Sequence, residues 1–364
     1  MSDFHLFHSI NRWLPPTAHW IYDQMALFNQ HQQTVLADQH IDNPYTKVNV
    51  HFKPNTALGK LVKRDFRNHI ISKGRSERKI LFSHFGNRAW LDLEVKADKR
   101  IARFYGYDLH RLPHESSHWT DRYLRLFERV DSAIVEGPFM KDSLKKMGCP
   151  EEKLTVLPLG VLVDEAFTLR QNGGTPQILI AGAFKEKKGI LTALKSCQLL
   201  LEAGFDLYIH LVGSQINATE NDRIYAEKVL KKMKAGVFKE RLLHHGFVTR
   251  EQLREIATKC HIALQPSQWA SDRDCEGGFP VTFLDLMSTG LPIVSTNHCD
   301  IPFAVNNKNG AICAEKDIEG LATAVKMILR DENLAERSRA AYQTVKDKFN
   351  WEVLKPLYHQ NILK

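Results

Sequence analysis

Glu276 and Asp285 are two carboxylates nine positions apart, and between them lie Gly277, Gly278, Phe279 and Pro280. The segment starts at Asp274 and runs on to Gly290-Leu291-Pro292, a stop signal for a helix. Pro280 suits the first helical position, where its missing N–H would be unpaired anyway, so the spacing predicts a helix over 280–289. Gly277, Gly278 and Phe279 then lie where a helix presents free N–H groups and the positive end of its dipole, a seat for phosphate. Asp285 falls about a turn and a half into that helix, among Val281, Phe283, Leu284, Leu286 and Met287. A carboxylate buried there without a hydroxyl or N–H partner costs several kcal/mol. A diphosphate at the helix tip, with a sugar or ribose hydroxyl offered to each acid, meets both demands. The ligand class this predicts is a nucleotide-sugar.

The elements that must carry this segment are those of a parallel α/β protein. At 364 residues the chain exceeds one ordinary core and suits two domains of about 100–200 residues each. Strands and helices alternate throughout. Strands are predicted over 34–37, 48–52, 79–82, 101–104, 133–135 and 154–157, then over 178–181, 207–212, 242–244, 262–264 and 292–295. Helices fall between them over 119–129 and 140–147, and later over 190–203, 226–234 and 250–259. The linker between the two series is expected over 163–175, which ends in Gln171-Asn172-Gly173-Gly174. There is no internal repeat and no low-complexity tract.

The segment 274–285 resembles the donor-binding signature of retaining GT-B glycosyltransferases of family 4 (glycosyl transferases group 1), in which a glutamate, a glycine-containing loop and a second acid follow in order; that second acid is Asp285 here, where the family usually has Glu. Residues 178–189 are similar to the family's strand and phosphate loop, with Gly182 at the strand end and Lys188 on the lysine that neutralises the donor diphosphate. Ala183 replaces the family's arginine, and Lys185 is the candidate to take its place. His245-Gly246-Phe247-Val248 resembles the stretch beside the nucleotide base. In the first half, His84-Phe85-Gly86 is similar to the family's strand-end His motif, and Phe104-Tyr105-Gly106-Tyr107-Asp108 to its aromatic segment, with Tyr105 where relatives carry the active-site histidine. A phenol stays protonated at neutral pH and donates a hydrogen bond, so a proton role falls to His84 or His110. Asn11-Arg12-Trp13-Leu14-Pro15-Pro16-Thr17 stands where many relatives have a glycine-rich loop.

The resemblance implies two Rossmann-like domains facing across a cleft: an acceptor-side domain over 1–165 and a nucleotide-sugar domain over 166–349, with a C-terminal helix over 350–364 packing back on the first. It implies transfer of a sugar from a nucleotide-diphosphate sugar to a hydroxyl acceptor, a glycan or lipid-linked glycan in cell-surface polysaccharide synthesis, with retention and without a metal or other cofactor. His84, Tyr105 and Glu276 are the catalytic candidates it carries over. Gly182, Lys188, Glu276, Gly277, Gly278, Phe279, Pro280 and Asp285 are its donor-binding candidates. A nucleotide-sugar epimerase of the same architecture is the rival.

Other patterns point elsewhere. His114-Glu115-Ser116-Ser117-His118 fits the zinc peptidase pattern of two imidazoles one turn apart and a glutamate base, with Glu136 open as a third ligand. Against it, Pro113 puts both histidines in the first turn of a helix, and the central serines lack apolar packing. Asp272-Arg273-Asp274 resembles the metal-holding Asp-x-Asp of the other major glycosyltransferase fold, and solvated loop charge is the expected reading. The net charge of +8 is concentrated between Lys53 and Lys79, where Lys60, Lys63, Arg64, Arg67, Lys73, Arg75 and Arg78 face only Asp65 and Glu77. With Leu61, Val62, Phe66, Ile70 and Ile71 interleaved, residues 57–71 predict a basic amphipathic helix able to rest on anionic lipid, in preference to nucleic acid. No run of about 18 apolar residues exists to span a bilayer, the start lacks the pattern of a secretory leader, and six scattered cysteines suit a reducing cytosol. A cytoplasmic protein, peripheral at the inner membrane face, is expected.

Overall fold

The computed structural model describes residues 4–14, 18–41, 48–54, 66–74, 76, 78–215 and 219–363. The chain divides into two compact units, Met1–Gly160 with Trp351–Lys364, and Val161–Asn350.

In the first unit β1 (Phe4–Trp13), β2 (Gln32–His40), β3 (Val50–Phe52), β4 (Arg78–His84), β5 (Lys99–Arg103), β6 (Ser132–Val135) and β7 (Leu154–Val156) form one parallel sheet in the order β3-β2-β1-β4-β5-β6-β7. Central β1 is the strand that an apolar pattern does not announce. Leu6, Phe7, His8, Ser9 and Ile10 are all buried, as both faces of an interior parallel strand are, although two of them are polar. Each polar one has a partner: Ser9 Oγ accepts from Arg67 Nε at 2.9 Å, and His8 is paired on both ring nitrogens.

Arg67 and Arg88 share Asp38 and Asp92 in a buried network with N···O separations of 2.8 to 3.3 Å. Arg67 belongs to the basic run, most of which (residues 55–65, 75 and 77) lies outside the described residues. The described helix there, Phe66–Ser72, turns Arg67 inward, so this cation of the expected lipid-facing stripe serves the core. No described helix is long and apolar enough to cross a membrane.

Helix Trp351–Leu363 belongs to the first unit. Fully buried Arg103 donates to Tyr358 Oη at 3.0 Å and to the Leu157 carbonyl at 2.9 Å, and Tyr358 donates onward to the Pro158 carbonyl at 2.8 Å. Lys99 Nζ reaches the Asn361 and Ile362 carbonyls at 3.1 and 3.2 Å, which satisfies groups that a helix C-terminus leaves open and sets a cation at the negative end of its dipole.

In the second unit β8 (Gln177–Ala181), β9 (Tyr208–Val212), β10 (Leu242–Gly246), β11 (Ile262–Gln265), β12 (Ile293–Thr296) and β13 (Gly310–Cys313) pair in parallel in the order β10-β9-β8-β11-β12-β13. The expected linker over 163–175 is bound into this unit instead. Buried Arg170 donates to the Ala257 carbonyl at 2.9 Å and Thr289 Oγ1 at 3.1 Å, and Phe167 stacks on Tyr342 with ring centroids 4.3 Å apart. The glycines that suggested a linker are a local turn inside a domain whose edge lies earlier, at Gly160 and Val161.

Candidate functional site

The strand order of the second unit reverses at β8: one crossover leads to β9 on one side, the next series to β11 on the other. Ligands of open parallel sheets bind outside the carboxyl ends of the strands at such a reversal. The chain that follows β8 there carries Gly182 and a single turn, Glu186–Lys188, before helix Ile190–Glu202. Gly189 joins turn to helix at φ 63°, and a Cβ on it would lie 1.8 Å from the Pro266 carbonyl oxygen beyond β11. This close approach sets both lysines of the turn against the loop after β11. Gly189→Ala is expected to destabilise the protein by about 2–4 kcal/mol, from overpacking plus the left-handed backbone. A denaturant midpoint unchanged by that substitution would contradict the placement.

Lys188 Nζ lies 2.8 Å from Glu276 Oε2, and Ser267 Oγ donates to Glu276 Oε1 at 2.8 Å. Lys187 donates to Asp274 Oδ1 at 3.1 Å and to the Cys275 carbonyl at 2.9 Å. The Glu276 side chain is 5% exposed. Burial pushes its pKa up, but the ammonium groups of Lys188 and Lys187 outweigh burial and hold it at about 2. Lys187 is raised in turn: burial alone lowers it, and Asp274 and Glu276 more than reverse that. The site thus holds an ionised carboxylate against the Lys188 and Lys187 side chains. Behind it, the Glu276 N–H donates to His298 Nε2 at 3.2 Å, His298 Nδ1 lies 2.7 Å from Glu315 Oε1, and the Trp269 N–H donates to Glu315 Oε2 at 2.9 Å.

The structure brings the expected Glu276 and Lys188 together, and the second lysine beside them is Lys187 and not Lys185. Lys185 is turned away to Asp222, at 3.3 Å, and Lys187 occupies the site. Three consecutive charged residues, Glu186, Lys187 and Lys188, carry no signal of which one points inward. Ser267, His298 and Glu315 were also missed, since one histidine among seventeen has no distinguishing pattern.

The helix after the loop is Val281–Ser288, with Pro280 in extended conformation as its N-cap, one position outside the expected first turn. Gly277 and Gly278 are buried ahead of it. Phe279 packs inward on Phe283 and Phe349 at 5.4 and 5.7 Å between centroids, so its side chain belongs to the core. Asp285 is 2% exposed, and its required partner comes from the chain itself: Arg250 Nε lies 2.7 Å from Oδ1. Burial still raises the Asp285 pKa against the pull of Arg250. Its burial therefore does not by itself demand a ribose hydroxyl. The ends of β8, β9 and β10 are floored by glycine: Gly213, at φ 132°, would place a Cβ 1.9 Å from the Gly182 carbonyl oxygen, and its N–H donates to the Gly246 carbonyl at 2.7 Å. Phe247 follows with 61% of its surface exposed.

In the first unit His84 ends β4 and lies 2.9 Å from Tyr105 Oη and 3.3 Å from His8 Nδ1. His8 Nε2 is 3.1 Å from Gln33 Oε1, an acceptor, so this nitrogen carries its proton. His8 Nδ1 must then accept from His84 Nε2–H, and His84 Nδ1 must accept the Tyr105 hydroxyl proton. Burial pushes the His84 pKa well down and the Tyr105 pKa well up, which keeps both neutral. Tyr105, expected to donate a hydrogen bond to a ligand, spends that donor on His84 and keeps oxygen lone pairs to offer. His110 packs instead against Phe139, with ring centroids 5.5 Å apart.

The zinc peptidase pattern does not form. Helix Leu112–Glu115 stops at Ser116, which is extended, and His118 opens a separate helix, so the two imidazoles are not one turn apart on one face. Both are exposed, and Glu115 pairs with Arg111 at 2.7 Å. In Asp272-Arg273-Asp274 the first carboxylate accepts from the Asp274 N–H at 3.0 Å and the second holds Lys187, which makes the motif a loop brace.

Residues 164–345, half of the chain, match the family described as Glycosyl transferases group 1. The amylovoran biosynthesis glycosyltransferase AmsK of Erwinia amylovora is 28% identical over 284 residues, which cover 75% of this chain and 67% of that protein. The putative colanic acid biosynthesis glycosyltransferase WcaL of Escherichia coli (strain K12) is 28% identical over 290 residues, 76% of this chain and 68% of that one. The structure of HepE from Anabaena, in complex with UDP and glucose, is similar with a TM-score of 0.77 at 12% identity over 99% of each chain. That likeness shows the fold, two parallel α/β domains of the GT-B kind. Placed with the matched residues 164–345, it leaves one assignment: the chain belongs to the glycosyl transferases group 1 family.

Proposed function

We propose that this protein transfers a sugar, with retention of anomeric configuration, from a nucleotide-diphosphate sugar to a hydroxyl of a glycan or lipid-linked glycan during cell-surface polysaccharide assembly. The observation that carries the reading is the ionised, nearly enclosed Glu276 between Lys188 and Lys187 at the strand-order reversal. The amylovoran and colanic acid relatives support the polysaccharide setting, and the UDP and glucose bound by HepE support the donor class.

Lys188 and Lys187 neutralise the diphosphate, which is why no metal is assigned to it. The N–H group of Gly278 and the start of the helix after Pro280 complete that seat, over a floor opened by Gly182. Glu276 takes sugar hydroxyls, and Asp285, fixed by Arg250, bounds the ribose end. Exposed Phe247 offers a face for the base. As the bond to the anomeric carbon breaks, positive charge grows on the sugar and negative charge on the leaving diphosphate, and the site sets fixed charge of the right sign beside each. The acceptor is assigned to the first unit, where the Tyr105 oxygen, its proton held by His84, accepts from a hydroxyl.

The test is thermal stabilisation by UDP-, GDP- and ADP-linked sugars. A donor at about 100 times its Kd adds about 2.7 kcal/mol, a midpoint shift of several degrees. Stabilisation by one base series, lost in Lys188→Met, is the expected result. No shift with any of them, or formation of a new sugar nucleotide without an acceptor, would overturn the assignment, the latter in favour of an epimerase.

A further inference from the structure

Behind Glu276 lies a cluster that sugar transfer does not use. Cys275, His298 and Cys299 each present a ligand atom, all within 4.8 Å of one another. Cys275 and His298 are fully buried, Cys299 is partly exposed at φ 47°, and its sulfur lies 3.2 Å from His298 Nε2. A tetrahedral zinc ion with bonds of about 2.3 Å to sulfur and 2.0–2.1 Å to nitrogen holds its ligand atoms about 3.5–3.8 Å apart, a spacing this cluster meets with small shifts.

A second observation comes from the other ring nitrogen. His298 Nδ1 is 2.7 Å from Glu315 Oε1 and must donate to it, which fixes the tautomer with the Nε2 lone pair facing the two sulfurs. A carboxylate behind an imidazole in this way orients a metal-binding histidine and raises its basicity. Two thiols also solve the charge problem of a buried dication: each releases its proton to solvent, and a 2+ ion with two thiolates is neutral. Sulfur and imidazole select zinc-class ions over magnesium or calcium, which take oxygen ligands.

We propose that Cys275, His298 and Cys299 form a binding site for a zinc-class divalent cation, with a water in the fourth position, whose occupancy is linked to the Glu276 loop. The linkage follows from a shared atom. His298 Nε2 now accepts the Glu276 N–H at 3.2 Å, and a metal on that nitrogen displaces it. Bound metal therefore moves Glu276 and slows transfer, a consequence that rests on the reading above, whereas the site itself does not.

The probe is Co²⁺ added to reduced protein without oxygen. Thiolate-to-cobalt charge transfer and tetrahedral d–d bands, saturating at one ion per chain, are expected in the wild type and in Cys313→Ser, with affinity at least about tenfold weaker in Cys299→Ser and His298→Gln. In the unsubstituted protein, zinc is expected to slow alkylation of Cys299 by iodoacetamide and leave Cys313 unaffected, a readout that needs no variant to fold. Absence of the bands, bands that survive Cys299→Ser unchanged, or alkylation of Cys299 indifferent to zinc would overturn the proposal. So would a Cys275–Cys299 disulfide that reductant fails to open. None of these readouts depends on transferase activity, so failure here and failure of the transfer reading are separable.

Discussion

Glu276→Gln lowers kcat for sugar transfer by about 10²–10³-fold, the scale of losing one preorganised electrostatic group. The fold survives, because glutamine fills the same space and still accepts from Ser267, while Lys187 keeps Asp274 and Lys188 is exposed enough to be hydrated. With a pKa held at about 2 the acid is charged at any working pH, so the loss comes from charge alone. Initial rates with saturating donor, beside a thermal midpoint, decide it. A variant with wild-type kcat removes Glu276 from the chemistry.

Lys188→Met acts on both binding and stability. It leaves Glu276 buried without its nearest cation, a loss of about 1–3 kcal/mol at neutral pH; a fully buried broken pair costs more, but the Lys188 side chain is 22% exposed and Lys187 remains. The sign of the pH dependence is fixed by linkage. Glu276 is depressed from 4.5 to about 2, so its contribution is present above pH 4.5 and is lost as pH falls toward 2. In Lys188→Met that acid limb flattens, and in Lys188→Met/Glu276→Gln much of the neutral-pH stability returns while activity does not. Stability measured against pH in the three proteins tests this, and an unchanged acid limb in the single variant would refute the pairing.

The loop before helix Val281–Ser288 was legible because glycine, proline and an acid on an apolar helix each answer to a local rule. The alternation of strands and helices was legible for the same reason, and β4, β8, β11 and β12 stand within a few residues of where apolar runs put them. What stayed hidden depends on partners far along the chain. β1 reads as polar because His8 and Ser9 are acceptable only once His84, Gln33 and Arg67 are in place. Helix Glu220–Met233 starts ahead of its apolar stretch because Thr219 and Asp222 cap it reciprocally. Lys187 and Lys185 are chemically alike and two residues apart, and only the turn closed by Gly189 sends one to Asp274 and the other to Asp222. Asp285 was read correctly as an acid in need of a partner, but a partner 35 residues upstream has no local signature.

Because helix Trp351–Leu363 is part of the first unit, the polypeptide passes between units twice, at Gly160–Val161 and at Asn350–Trp351. In sequence terms the second unit is an insertion within the first, and this orders biosynthesis. All of Val161–Asn350 leaves the ribosome before Tyr358 can meet Arg103. The N-terminal sheet must therefore wait with the Arg103 guanidinium on the Leu157 carbonyl but without its Tyr358 partner until translation has passed Tyr358. A nascent chain arrested before that point should hold a finished second unit and a first unit still open to chaperones and proteases.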